Sequence, residues 1–299
     1  MGSIGNTLKY LLISARPKDW VKNLFILAPL FFSVSVFRYH LTARAALAFV
    51  LFCLLSSGVY LMNDILDLQE DQRHPQKRLR PLPSGRLKVS TAASGAVVML
   101  ALSIGLSFLL DLEFGLIALA YLLLNLVYSR YLKKVVIVDV FCLAGDFVLR
   151  VIGGAVVIDV EMSRWLIICT VLLSLFLGFS KRRHELALLG SDAANHRRVL
   201  SEYSILFLDM SIGIVTAATV MSYALYTISE ETIAKFGSDR LILTIPFVLY
   251  GVFRYLYLIY RKSEGGNPAQ SLLTDLPLLA AVVAWGLVAG VILYFGHTW

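Results

Sequence analysis

The chain is dominated by apolar runs about as long as a bilayer core is thick, recurring along its length with short charged or turn-forming stretches between them. A hydrocarbon core needs about 20 apolar residues per crossing helix, far more than a barrel strand. No water is available there to satisfy exposed backbone groups, so runs of this length cross as helices. Nine runs of roughly that length are present, the first of them short, at about 24 to 37, 44 to 66, 89 to 110, 112 to 132, 135 to 158, 164 to 180, 204 to 228, 240 to 260 and 276 to 296. The expected fold is all-α, a polytopic membrane bundle of nine transmembrane helices forming a single integral-membrane domain over residues 1–299. Residues 1–23 precede the first run. Between 5 and 22, Leu8, Leu11, Leu12 and Ala15 recur at helical spacing among Lys9, Arg16, Lys18 and Lys22, the pattern of an N-terminal interfacial helix.

Composition closes the other routes. With 58% hydrophobic and 16% charged residues, and a mean hydropathy of +0.76, the chain is too apolar for a soluble domain, a disordered segment or a coiled coil. Cys53, Cys142 and Cys169 all lie inside apolar runs, which favours packed thiols over disulfides or a thiolate metal site. The net charge of +7 is scattered between spans and forms no continuous stripe, so no nucleic-acid partner is expected.

The cations instead report orientation. Of the 27 Lys and Arg, 20 fall on one side of the nine runs and only Arg38, Arg44, Arg164, Lys235 and Arg240 on the other; Arg150 and Arg254 lie within runs. This predicts a cell-membrane protein with a cytoplasmic N-terminus and an external C-terminus. Two cytoplasmic loops, about 67–88 and 181–203, are much longer than the rest and form candidate caps over a site facing the cytoplasm. They follow the second and sixth runs, which suggests two four-helix halves plus a ninth helix. A homo-oligomer is compatible with this plan and is not specified by it.

At the cytoplasmic end of the second run stands Asn63-Asp64-Ile65-Leu66-Asp67-Leu68-Gln69-Glu70-Asp71. At about 100° per residue, Asp67 lies about 60° and Asp71 about 20° from Asp64, so the three carboxylates form one stripe on a helix. Three like charges repel unless divalent cations lie between them, and Mg2+ prefers such hard oxygen ligands while bridging to substrate phosphates. The plainer alternative is a solvated helix end. A basic loop follows, in which Lys77 and Arg80 are placed to meet a polyanionic substrate, although positive-inside topology alone also puts cations here.

These residues carry a resemblance. Nine spans with Asn63-Asp64, Asp67 and Asp71 after the second resemble the UbiA-type intramembrane prenyltransferase superfamily over essentially the whole chain. More narrowly, Arg16-Pro17-Lys18-Asp19-Trp20-Val21-Lys22-Asn23, His74-Pro75 with Lys77 and Arg80-Pro81, Tyr128-Ser129 with Leu132-Lys133, and Lys181-Arg182 with Glu185-Leu186 look like its polyprenyl-phosphate (decaprenyl-phosphate) phosphoribosyltransferase branch. The resemblance implies transfer of 5-phosphoribose from phosphoribosyl diphosphate to a polyprenyl phosphate lipid. It implies Mg2+ held by Asn63, Asp64, Asp67 and Asp71, with Lys22, Asn63, Lys77, Arg80, Tyr128, Lys133, Lys181 and Arg182 binding substrate. Aromatic prenyltransferases of the superfamily resemble one another in a second acidic motif after the sixth span. Here that stretch reads Gly178-Phe179-Ser180-Lys181-Arg182-Arg183-His184-Glu185, largely basic, which suits two phosphorylated substrates. A prenyl-diphosphate transferase with an aromatic acceptor remains the alternative enzyme, and a lipid or ion transporter the alternative outside enzymes.

The fifth run carries Asp139, Asp146 and Arg150 on one helical face, where ionisable groups must look into the bundle. Asp139 lies nearest the cytoplasmic end and is the candidate to bind ribose hydroxyls or support charge at the reacting carbon. Asp146 stands four residues before Arg150, the favourable order for an ion pair.

Overall fold

The computed structural model describes residues 2–189, 198–261 and 268–296. In chain order its helices are α1 Gly2–Ala15, α2 Ala28–Phe32, α3 Tyr39–Leu66, α4 Leu68–Arg73, α5 Val89–Leu110, α6 Leu112–Arg130 and α7 Val138–Val157. There follow α8 Arg164–Leu189, α9 Ile205–Ile228, α10 Glu230–Phe236, α11 Ile245–Arg261, α12 Pro268–Thr274 and α13 Leu276–Phe295. Eight of these are long and apolar enough to cross a bilayer, counting a 3-10 turn at Arg240–Thr244 with α11. Their starts carry polar caps where the sequence supplies them. The Asp111 side chain accepts from the Phe114 N–H at 3.0 Å, Ser204 from Phe207 at 3.1 Å and Asp275 from Leu278 at 3.0 Å.

The first expected span departs from the plan. In place of a regular helix over 24 to 37, the chain forms a 3-10 helix, Pro17–Leu27, followed by the five-residue α2. It still runs the depth of the bundle, antiparallel to α3. The Trp20 indole N–H donates to Ser57 Oγ at 3.0 Å and Asn23 Nδ2 to Ser56 Oγ at 3.2 Å, while beyond α2 the Val36 N–H reaches the Tyr294 hydroxyl on α13 at 3.2 Å. A 3-10 rise of about 2.0 Å per residue over this length, with the short α-helix added, gives about 30 Å, a hydrocarbon thickness. Two prolines, Pro17 and Pro29, lack the N–H that a continuous α-helix would use. Irregular backbone survives at membrane depth when it is buried in protein or lines a cavity; this segment is wedged between α3 and α7 and lines the central cavity. Upstream, α1 stops at Ala15, short of the expected residue 22. Arg16 adopts φ 54° and ψ 61° directly before Pro17, a left-handed conformation that ends the helix.

Sequential spans pack against one another from α3 through α5, α6, α7 and α8 to α9; α11 pairs with α13, and α12 returns to the 3-10 segment to close the ring. Four apolar clusters result among the described residues, two of them larger than the others. Of these two, one holds Ile26, Phe52, Phe114 and Tyr121, the other Phe176, Phe179, Leu208 and Tyr255. Between them lies a cavity of about 1470 Å³.

Close approach of the 3-10 segment to α7 depends on Gly154, where an added Cβ would overlap the Ile26 carbonyl oxygen. Backbone cannot move aside as a flexible side chain can. Gly154→Ala is therefore expected to exceed the roughly 1–3 kcal/mol of ordinary overpacking and to lower both folded yield and Tm in detergent. An unchanged Tm would show that the contact is not tight.

Candidate active site

The carboxylates gather where α3 gives way to α4. Asp67 terminates α3, its N–H donating to the Asn63 carbonyl at 2.9 Å, and the Asp71 N–H donates in turn to the Asp67 carbonyl at 2.8 Å. The helical path thus continues through a kink, and the kink breaks the expected single stripe. Asp64 and Asp71 converge on one cation: Arg80 Nη1 donates to Asp64 Oδ1 at 3.2 Å and to Asp71 Oδ2 at 2.8 Å. Arg16 also donates to Asp64 Oδ1, with its guanidinium 4.8 Å from the Tyr60 ring centroid. Lys77 stands 3.5 Å from Asp71. Asp67 turns away to Lys133, and Asn63 Oδ1 accepts from the Ser129 hydroxyl at 2.6 Å. Burial and the nearby Arg16 push the Arg80 guanidinium below its ordinary range, against the pull of both carboxylates.

Asn63, Asp64 and Asp67 line the cavity, with Arg16, Lys22, Lys77, Arg80, Tyr128 and Lys181 around them. Asp71 is buried behind Lys77 and Arg80 and orients both. Among the described residues, no three acidic, His or Cys side chains already stand as a metal cluster. One atom nevertheless asks for a ligand. Asp64 Oδ2 is buried with no hydrogen-bond partner on a residue that faces the cavity. A hard oxygen left unsatisfied beside two more cavity-facing oxygen donors fits a divalent cation.

Asp139 and Arg182 do not sit as the sequence suggests. Both side chains are 0% exposed, and neither reaches the cavity wall. Arg182 Nε donates to Asp139 Oδ2 at 2.5 Å, Nη1 to Glu185 at 2.6 Å and Nη2 to the Tyr128 hydroxyl at 3.2 Å. The Tyr203 hydroxyl donates to Asp139 Oδ1 at 2.7 Å and accepts from the Ile137 N–H at 2.7 Å. Burial and the adjacent Asp139 push the Tyr203 phenol well above its ordinary value, so it keeps the proton it donates. The network ties the start of α7 and the end of α8 to residues 198–203, and it presents Tyr128 and Glu185 to the cavity. The middle of the second expected cap loop, residues 190–197, lies outside the described residues, as does the C-terminal Trp299.

The expected Asp146–Arg150 ion pair is not made. Asp146 Oδ1 accepts from Asn125 Nδ2 at 2.8 Å, while Arg150 bonds Asn23, the Tyr121 hydroxyl and only the backbone carbonyl of Asp146. Arg254 holds Asp275, the cap of α13, through two bonds of 3.0 and 2.8 Å. Sequence reasoning left Arg16 and Tyr60 out of the site. Tyr60 lies one turn before Asp64 on the same face of α3, so extending the stripe backwards finds it.

An integral-membrane bundle with carboxylates and cations at one mouth of a long apolar cavity defines a class of enzymes that act on lipids with charged heads. The chain belongs to the UbiA prenyltransferase family, whose model matches residues 24–274. It is similar to a decaprenyl-phosphate phosphoribosyltransferase of Corynebacterium glutamicum, with 34% identity over 276 residues, covering 90% of this chain and 82% of the relative. A protein of the same name from Mycolicibacterium smegmatis is 30% identical over 301 residues, covering 97% and 94%. The solved UbiA homolog from Archaeoglobus fulgidus bound to GPP and Mg2+ superposes with a TM-score of 0.71 at 19% identity, covering 95% of this chain and 99% of that one. That likeness is one of fold.

Proposed function

We propose that this multi-pass membrane protein is a polyprenyl-phosphate phosphoribosyltransferase, moving 5-phosphoribose from phosphoribosyl diphosphate to a polyprenyl phosphate and releasing diphosphate. The observation that carries it is the pairing of a carboxylate and arginine mouth with a large, mostly apolar cavity. Near-full-length similarity to two proteins named decaprenyl-phosphate phosphoribosyltransferase supports the substrate class. In the reaction an oxygen of the lipid phosphate bonds to C1 of the ribose as the C1–O bond to diphosphate breaks, its electron pair leaving with the diphosphate. The lipid phosphate is already an anion, so no strong general base is required.

Asn63, Asp64 and Asp67 are the residues that would hold Mg2+, consistent with the unpartnered Asp64 oxygen; Asp71, behind them, orients Lys77 and Arg80. When bound, the metal supplies charge stabilisation for the departing diphosphate. Arg16, Lys77 and Arg80 leave their carboxylates to meet phosphate oxygens, which Arg can do in bidentate fashion. Lys22 and Lys181 add positive charge along the wall, and Tyr128, fixed by Arg182, offers a hydroxyl to the ribose. The apolar remainder of the cavity holds the lipid tail and excludes water. Lys133 acts through Asp67, and Asp139 through Arg182. The mouth opens to the cytoplasm, with α1 along the interface and its exposed Leu8 and Leu12 toward lipid.

Purified protein given ribose-labelled phosphoribosyl diphosphate, Mg2+ and a polyprenyl phosphate is expected to move label into the lipid fraction and release an equal amount of diphosphate. Label remaining in water while a prenyl diphosphate alkylates an aromatic acid would replace this reading with aromatic prenyl transfer.

A further inference from the structure

Below the acidic mouth the cavity carries a further cation, deeper than those at its rim. Arg150 lies past the middle of α7, is 3% exposed and lines the cavity wall. Its guanidinium donates to three neutral acceptors: Asn23 Oδ1 at 2.8 Å, the Tyr121 hydroxyl at 2.9 Å and the Asp146 carbonyl at 2.7 Å. Asp146, the acid one turn away, gives its carboxylate to Asn125. Among the described residues no carboxylate stands within the 4.0 Å of an ion pair to Arg150. A cation at this depth is expensive to keep without a counter-ion. Its hydrogen-bond partners hold it in position without a carboxylate in contact, and Asp146 acts on it only from one turn away. Lys22, on the same cavity, lies within electrostatic reach of it and is held by Asp19 at 2.9 Å, a pairing that an entering phosphate would have to share.

The depth is informative. Asn23, which holds Arg150, also bonds Ser56, eight residues before Asp64 on α3, so this node lies about 12 Å below the carboxylates at 1.5 Å per residue. A diphosphate anchored above and a second phosphate held below would bracket one sugar.

We propose that Arg150, with Lys22 beside it, forms a phosphomonoester subsite deep in the cavity, separate from the mouth that holds diphosphate. The inference rests on the phosphoribosyl-transfer reading for its ligands, since each substrate brings one phosphomonoester: the lipid acceptor's phosphate and the 5-phosphate of the ribose. Attack on C1 from the face opposite the leaving diphosphate puts the acceptor phosphate at the lower position.

The test uses Asn23→Asp, which keeps Arg150 and its hydrogen bond but supplies the missing carboxylate. Arg150→Gln, which removes the charge, decides by the same criterion if the first variant fails to fold. Apparent Tm of the full-length protein in detergent is measured with geranyl phosphate or with ribose 5-phosphate. At least one compound is expected to stabilise wild type but not the variant. The KM of the substrate bearing that phosphate should rise at least about tenfold, with kcat held within about threefold. Stabilisation by geranyl phosphate assigns the subsite to the acceptor, and stabilisation by ribose 5-phosphate to the donor. Equal stabilisation of wild type and variant, or none of wild type by either compound, overturns the subsite. Failure of the functional reading appears separately, as absence of label transfer by wild type, and leaves the Tm comparison intact.

Discussion

Asp64→Asn is expected to lower kcat by about two to four orders of magnitude while the protein stays folded. The substitution is isosteric, and its amide oxygen can still accept from Arg16 and Arg80, which hold the Asp64 carboxylate now. What it removes is the charge and the unpartnered Oδ2, the atom that fits a metal. Metal stabilisation of a leaving group is worth several kcal/mol, and each 1.36 kcal/mol is tenfold in rate. Asp67→Asn should cost less, because Asp67 is more exposed and already shared with Lys133. Label transfer measured against Mg2+ concentration checks both. Wild-type turnover by Asp64→Asn at saturating donor would take Asp64 out of the chemistry.

Arg182→Ala should have the largest effect on stability. Asp139 would be left as a fully buried carboxylate stripped of its guanidinium, with the Tyr203 hydroxyl still donating to it, and breaking a buried pair from one side costs about 3–5 kcal/mol. Replacing both partners by apolar groups is often neutral, so Arg182→Met combined with Asp139→Leu should recover most of the lost Tm and give a large coupling energy in a double-mutant cycle. Because the double variant still lacks the guanidinium that fixes Tyr128, its stability should return further than its turnover. An Arg182→Ala protein with unchanged Tm would instead show that the buried pair contributes little to stability.

Run length and composition were enough to read eight of the nine expected spans as long apolar helices, and several boundaries agree closely, as at α5, Val89–Leu110, and α9, Ile205–Ile228. Helix α8 passes well beyond its expected end near 180, since Lys181 and Arg182 interrupt hydropathy without interrupting a helix. The clustering of Asn63, Asp64 and Asp67 was legible because neighbours on one helix obey its period. Partner choice was not. Asp139 and Arg182 are 43 residues apart, Arg16 and Asp64 are 48, and no periodicity relates them. The Asp146–Arg150 pair failed for the complementary reason: i,i+4 spacing permits a contact, but Asn125 and Asn23, from other elements, compete for it more successfully.

The 3-10 segment also bears on how the chain is assembled. Its polar residues Asp19, Lys22 and Asn23 and its irregular backbone make it a poor independent inserter, and the groove that accepts it lacks a wall until α7, whose Gly154 receives Ile26, has been made. More than a hundred residues separate those two positions. At a synthesis rate of about 5–20 residues per second, the segment waits roughly 6–25 s after leaving the ribosome before its seat exists. The earliest segment of the bundle to be translated is thus among the last to be seated, and the polar groups it carries stay solvated until the walls that receive them are made.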